Sequence, residues 1–94
     1  MIKTFRCKDT EALFKRQRCP RFRSIENVAS RKLAILNNAQ SLQDLRVPPG
    51  NRVEELAGDR QRQHSIRVND QWRICFAWHD REAYEVELSS EGKQ

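Results

Sequence analysis

His64, Arg67 and Arg73 lie close together in the stretch Gln63-His-Ser-Ile-Arg-Val-Asn-Asp-Gln-Trp-Arg-Ile-Cys-Phe76. A guanidinium stays charged at every physiological pH and presents a planar fork of donors that fits phosphate. An imidazole gives up and takes a proton near neutrality. From their types alone these groups suit holding the phosphates of a nucleic-acid backbone more than catalysis upon it. Arg60 and Arg62 precede the stretch and would extend its basic surface, with Lys93 as a remote addition near the C-terminus. The plainer reading is a set of exposed strand arginines, with the histidine closing a sheet edge. The three cysteines, Cys7, Cys19 and Cys75, are widely spaced and form no Cys-x-x-Cys pair. With only His64 and His79 beside them they make neither a disulfide framework nor a zinc ligand set, so no structural metal is expected.

The elements carrying these residues follow from alternation. In the predicted strand Gln71–Trp78, Trp72, Ile74, Phe76 and Trp78 share one face, which must be core, while Arg73, Cys75, Ala77 and His79 share the other. Gln63–Val68 is the strand before it, joined through a tight turn at Asn69-Asp70. A three-residue turn sets Ile66 opposite Ile74 and Arg67 opposite Arg73. Like charges facing each other across a ladder repel, an arrangement that suits a site whose occupant is an anion. A two-residue turn instead brings His64 diagonal to Arg73 and moves Arg67 to the tryptophan side. The first register buries more apolar surface, but the pattern alone leaves both open.

The remaining pattern is strand, helices, then a run of strands. Met1–Phe5 reads as a short opening strand, and Asp9 or Thr10 as the cap of a brief helix reaching Arg16. Gln17–Arg23 is a basic linker containing Cys19-Pro20. Ser24–Ala39 is the clearest helix, capped by Ser24, with Ile25, Val28, Ala29, Leu33, Ile35, Leu36 and Ala39 as its apolar stripe. Ser41–Asp44 opens a further helical turn, which Pro48-Pro49-Gly50 ends. Arg52–Leu56 is a predicted strand closed by the turn Ala57-Gly58-Asp59, and Ala83–Leu88 is the last strand. Ser89–Gln94 has no apolar anchor and is expected to fray. The order implies an α+β domain with an antiparallel sheet covered by helices on one face.

A chain of 94 residues holds one hydrophobic core, so residues 1–94 are read as a single domain. Its net charge of +5 is unevenly placed. Residues 1–79 carry 16 basic and 8 acidic side chains, whereas residues 80–94 carry 2 and 5. A basic body favours polyanions through counterion release, and the excess of Arg (13) over Lys (5) fits phosphate forks. No apolar stretch has the length of a signal peptide or a membrane span, so a reducing cytoplasm is expected.

Gly58-Asp59 followed by Gln63–Phe76 resembles the sheet signature of HigB-type toxins of the RelE superfamily, including GraT-like members. Met1–Phe5, Arg31-Lys-Leu33, Asp44-Leu45 and Pro48-Pro49-Gly50-Asn51-Arg52 resemble the same family, and the likeness covers about residues 1–88. The Val-Asn-x-x-Trp-Arg-Ile segment is its most specific part. The resemblance implies a RelE-like fold, a curved antiparallel sheet with N-terminal helices packed on one face. It implies ribosome-dependent cleavage of mRNA in the A site, by attack of the ribose 2′-hydroxyl on the adjacent phosphate, without metal or cofactor. It implies a HigA-type helix-turn-helix antitoxin as partner, with operator DNA bound only through that antitoxin. Carried over by position, Arg73 stabilises charge on the scissile phosphate, with His64 and Arg67 beside it. Two departures stand out. Relatives with an acidic-Tyr-His tail place catalytic groups there, but no Tyr or His follows Tyr84. Others carry His and Lys before the Gly-Asp turn, where this chain has Glu54 and Ala57. These departures make a catalytically weak or inactive protein, binding its antitoxin or the ribosome and acting in operator repression, the alternative expectation.

Overall fold

The computed structural model describes residues 1–46, 51–55 and 63–90. Two helices, α1 (Lys8–Phe14) and α2 (Glu26–Asn38), precede four strands, β1 (Glu54–Glu55), β2 (Gln63–Arg67), β3 (Trp72–His79) and β4 (Glu82–Ser90). The strands form one antiparallel sheet in sequential order β1-β2-β3-β4. The predicted opening strand forms instead two isolated parallel bridges to β4, Ile2 with Ala83 and Phe5 with Val86. The helices cover one face of the sheet. Leu13 from α1 and Ala29, Leu33 and Leu36 from α2 join Ile66, Ile74, Phe76, Val86 and Leu88 in a single buried cluster. Among the described residues no helix is long and apolar enough to cross a membrane.

The β2–β3 loop resolves the register. Val68 N–H donates to the Trp72 carbonyl at 2.9 Å, and Asn69 Oδ1 accepts from the N–H groups of Gln71 and Trp72, both at 2.8 Å. Asn69 thereby replaces ladder bonds with an Asx-type turn over Asn69–Gln71. Ile66 faces Ile74 and Arg67 faces Arg73, the three-residue option. The β3–β4 turn takes two residues, Asp80 (φ 51°) and Arg81 (φ 67°), the doubly left-handed geometry that matches strand twist in a hairpin. Further along, Cys75 pairs with Glu87 but Ala77 pairs with Tyr84, so β4 holds one extra residue. Glu85, at φ 55°, sits in that bulge, and its N–H is taken up by the Thr4 hydroxyl at 2.9 Å. A bulge of this kind bends and twists the sheet.

Several predicted boundaries are corrected. Neither Asp9 nor Thr10 caps α1, which starts after Cys7 without a side-chain cap. Thr10 is fully buried and its hydroxyl accepts from the Leu88 N–H at 3.0 Å, tying α1 to β4. Ser24 does not cap α2 because a 3₁₀ turn, Pro20–Ile25, runs directly into it. That turn replaces most of the predicted linker because Phe22 is a core residue, packed edge-on against Trp72 with centroids 5.3 Å apart. A second 3₁₀ turn, Leu42–Arg46, follows α2. Of the strand expected at Arg52–Leu56, Glu54–Glu55 pair in the sheet and Arg52 and Val53 precede it, while Leu56 lies outside the described residues. Ser89 and Ser90, expected to fray, extend β4 by pairing with Arg73 and Trp72.

Truncating Phe22 would empty a site in contact with both the helical layer and β3. Phe22→Ala is expected to lower stability by roughly 3 kcal/mol, the usual cost of removing a buried aromatic ring. Urea unfolding of the two proteins measures the difference.

Candidate active site

The face of the sheet away from the helices is set by the register. Arg67 and Ser65 on β2, Arg73 and Cys75 on β3, and Glu54 on β1 pair with one another and so lie on that face. Its centre is Arg73. The Arg73 Nε donates to Ser65 Oγ at 2.8 Å, and Nη2 donates to the Arg52 carbonyl at 2.8 Å and more weakly to the Ser65 carbonyl at 3.5 Å. Glu54 Oε1 lies 3.5 Å from the same Nη2. The Arg73 side chain is 11% exposed, whereas Glu54 is 63% exposed. The guanidinium is thus fixed by a buried serine and a backbone carbonyl, and it meets a carboxylate at the solvent boundary. Ser65, buried and hydrogen-bonded in this way, leaves Arg73 little rotamer freedom.

The position of the Arg52 carbonyl is itself determined by a chain of contacts. Asn51 is fully buried, its Nδ2 donating to the Leu45 carbonyl at 2.9 Å and its Oδ1 accepting from Lys32 Nζ. Anchoring Asn51 to α2 and to the 3₁₀ turn sets the path of the chain entering β1, where Arg52 adopts φ 45°. Partial burial, then the nearby charges of Arg31 and Arg67, hold the Lys32 ammonium below its ordinary 10.5. Between that lowered value and 10.5 the unfolded chain retains a proton that the folded chain has shed, so stability rises with pH across the window. Below it the penalty is fully present. Lys32→Gln is expected to remove this alkaline rise, which unfolding midpoints of both proteins over that pH range would show.

Arg67 stands across from Arg73 at the end of the ladder and is ion-paired with Asp70 in the turn. Asp70 is almost fully exposed and gives this pairing little protection from solvent. The structure therefore brings Arg67 and Arg73 together. It does not bring His64 to them. His64 pairs with Phe76 and lies on the helix-side face, its ring 5.9 Å from that of Phe76. The reason is strand alternation, since His64 is two residues from Ile66 and Ile66 faces the core. Trp72 packs against Phe22, as expected of a core residue. Arg60, Arg62 and Lys93 lie outside the described residues, as do the turn Ala57-Gly58-Asp59 and Pro48-Pro49-Gly50.

Two participants escaped the reading of the sequence. Ser65 carries no signal beyond its place between two inward positions, and its value lies only in the Arg73 bond. Glu54 stood out merely as a departure from relatives, although alternation along Arg52–Leu56, paired to β2, would have put it near Arg73. Chemically, the arrangement joins two anchored cations with an exposed carboxylate. It can hold an anion against Arg73 and Arg67 and accept a proton at Glu54. Among the described residues no group of three or more His, Cys, Asp or Glu side chains is placed to hold a metal ion.

A thin helical layer on one face of a short, bulged antiparallel sheet, with an arginine-centred cluster on the other, defines a small RelE-like α+β protein. The family model for RelE-like toxins of the HigB type II toxin–antitoxin system matches residues 3–90, so the chain belongs to the HigB-like toxin family. Over 57 residues it is 56% identical to Toxin HigB-1 of Vibrio cholerae serotype O1, covering 61% of this chain and 60% of that protein. It is 32% identical over 65 residues to an uncharacterised protein of Haemophilus influenzae, covering 69% of this chain and 64% of the relative. The matches thus span less than two thirds of either relative. A crystal structure of a histidine-to-glutamine variant of YafQ from E. coli is similar in fold, with a TM-score of 0.63 at 12% identity, covering 97% of this chain and 94% of that one.

Proposed function

We propose that this protein is the toxin of a type II toxin–antitoxin pair and cleaves mRNA in the ribosomal A site. The carrying observation is the Arg73 guanidinium, fixed by Ser65 and the Arg52 carbonyl on the open sheet face with Arg67 alongside. In this reading the scissile phosphate takes a position against Arg73 and Arg67. Glu54 accepts the proton of the ribose 2′-hydroxyl as O2′ bonds to phosphorus. The bond from phosphorus to the 5′-oxygen breaks, and that oxygen takes a proton from solvent. The products are a 2′,3′-cyclic phosphate and a 5′-hydroxyl end. Membership of a toxin family supports this reading, as does the net positive charge. A helix-turn-helix antitoxin of the HigA type is the proposed partner, bringing the pair to operator DNA.

The burial of Arg73 favours a second reading. A guanidinium already satisfied by Ser65, Arg52 and Glu54 also fits a structural role, in a protein that binds antitoxin or ribosome without cutting. Sequencing mRNA 5′ ends after brief induction separates the two. The first reading expects growth arrest with new ends at fixed positions within codons. Intact mRNA alongside ribosome binding would establish the second.

A further inference from the structure

Two oxygens from one short stretch of chain meet Arg73. Its Nη2 donates to the Arg52 carbonyl at 2.8 Å, and Glu54 Oε1 lies 3.5 Å from the same nitrogen. Glu54 is paired with Ser65, so the ladder sets its place on the sheet. Arg52 precedes the strand, and the ladder does not aim its carbonyl. Its backbone sits at φ 45°, in the left-handed region that a side chain disfavours. The Arg52 side chain is exposed, so its burial is not what selects this conformation. Backbone strain of this kind persists where the surroundings over-determine the chain, and it gathers at reacting sites. Asn51 supplies those surroundings. It is fully buried, its Nδ2 donating to the Leu45 carbonyl at 2.9 Å and its Oδ1 accepting from Lys32 Nζ. Both ends of one amide thus hold residue 51 to the helical layer. One residue later the chain presents a carbonyl to a guanidinium on the opposite face of the sheet.

We infer that the Asn51-Arg52 corner is a positioning device for the reaction. Buried Asn51 holds Arg52 left-handed, and the Arg52 carbonyl thereby aligns the Arg73 guanidinium with Glu54. The inference rests on the proposed role of Arg73 in cleavage. Both are positioning residues, since Asn51 is closed to solvent and Arg52 acts through its backbone. An asparagine that only tied the chain down would not need a left-handed residue after it. The strain at Arg52 is what links the anchor to the site. Its effect on rate is expected to be large, because a displacement of about 1 Å at a reacting group lowers rates by about 10².

The test compares Arg52→Asn with Arg52→Val in the full chain. Both remove the same exposed charge, but Asn visits the left-handed region readily and a β-branched residue does not. Each is measured in single-turnover cleavage of ribosome-bound mRNA, with Arg73 present and in the Arg73→Ala background. With Arg73 present, the valine variant is expected to cut about 10- to 100-fold more slowly than the asparagine variant, at equal affinity for the ribosome. In the Arg73→Ala background the two should cut at the same rate, since the carbonyl then has nothing to align. Asn51→Ala should lose about as much as Arg52→Val, and likewise nothing further once Arg73 is alanine. Thermal unfolding confirms that the variants fold. If Arg52→Val does not, Arg52→Ala replaces it with a smaller ratio expected, and if Asn51→Ala does not, the Arg52 pair decides. Equal rates for the Arg52 pair with Arg73 present overturn the inference, as does a ratio that persists without Arg73, which would make the corner a general support of the fold. Arg73→Ala cutting as fast as wild type would sink the proposed role of Arg73 and this inference with it, a result distinct from either.

Discussion

Arg73→Ala is expected to lower single-turnover cleavage of ribosome-bound mRNA by about 10²–10³, the range seen when one donor to a developing oxyanion is removed. The size of the effect follows from how the side chain is held. Ser65 and the Arg52 carbonyl fix the guanidinium before any substrate arrives, so no reorganisation is required as charge builds on phosphorus. Arg73→Lys tests the geometry separately from the charge. An ammonium is a point donor and lacks the fork that reaches serine, carbonyl and phosphate together, so a large part of the loss should persist. Ribosome binding is expected to change far less than the rate for both variants, because Arg73 is only 11% exposed and supplies little of the outer field. Equal losses in binding and rate would instead assign Arg73 to uniform attraction of RNA.

Glu54→Gln is the second large effect, expected at about 10²–10⁴ in rate, the usual contribution of a positioned general base. The substitution keeps shape and a hydrogen-bonding oxygen near Arg73 but cannot accept the proton. A competing contribution has the opposite sign. Glu54 lies 3.5 Å from Arg73 and, on the proposed reading, would compete with a substrate phosphate for it, so its neutral replacement should bind RNA somewhat more tightly. A lower rate with unchanged or tighter binding is the combined signature. A variant that cuts as fast as wild type would remove Glu54 from the chemistry and leave solvent as the base.

The architecture was readable because its signals were periodic. Alternation through Trp72–Trp78 told core from open face, and the apolar stripe of the long helix placed α2. The hairpin register came down to one side chain. Asn69 closes a three-residue turn with its side-chain Oδ1, an outcome that Asn-Asp does not dictate over a two-residue turn. That single bond network decides which of His64 and Arg67 accompanies Arg73. Phe22 was hidden for another reason. It sits alone among arginines, and a single aromatic has no period to betray it, although Trp72 needed a partner. Polar contacts were the least legible. Buried Asn51 links Lys32, Leu45 and the start of β1 through its amide, and Thr10 joins α1 to β4, both between residues distant in sequence.

The central claim is that the reacting face is the one bearing Arg73 and Arg67, and that the helix-side face bearing His64 is not. The most direct test measures single-turnover cleavage of one mRNA on one ribosomal complex by wild type, Arg73→Ala and His64→Gln. The account predicts a loss of at least about 10² for Arg73→Ala and a rate within about threefold of wild type for His64→Gln. The reverse order, with the histidine variant inactive and the arginine variant still cutting, would contradict it.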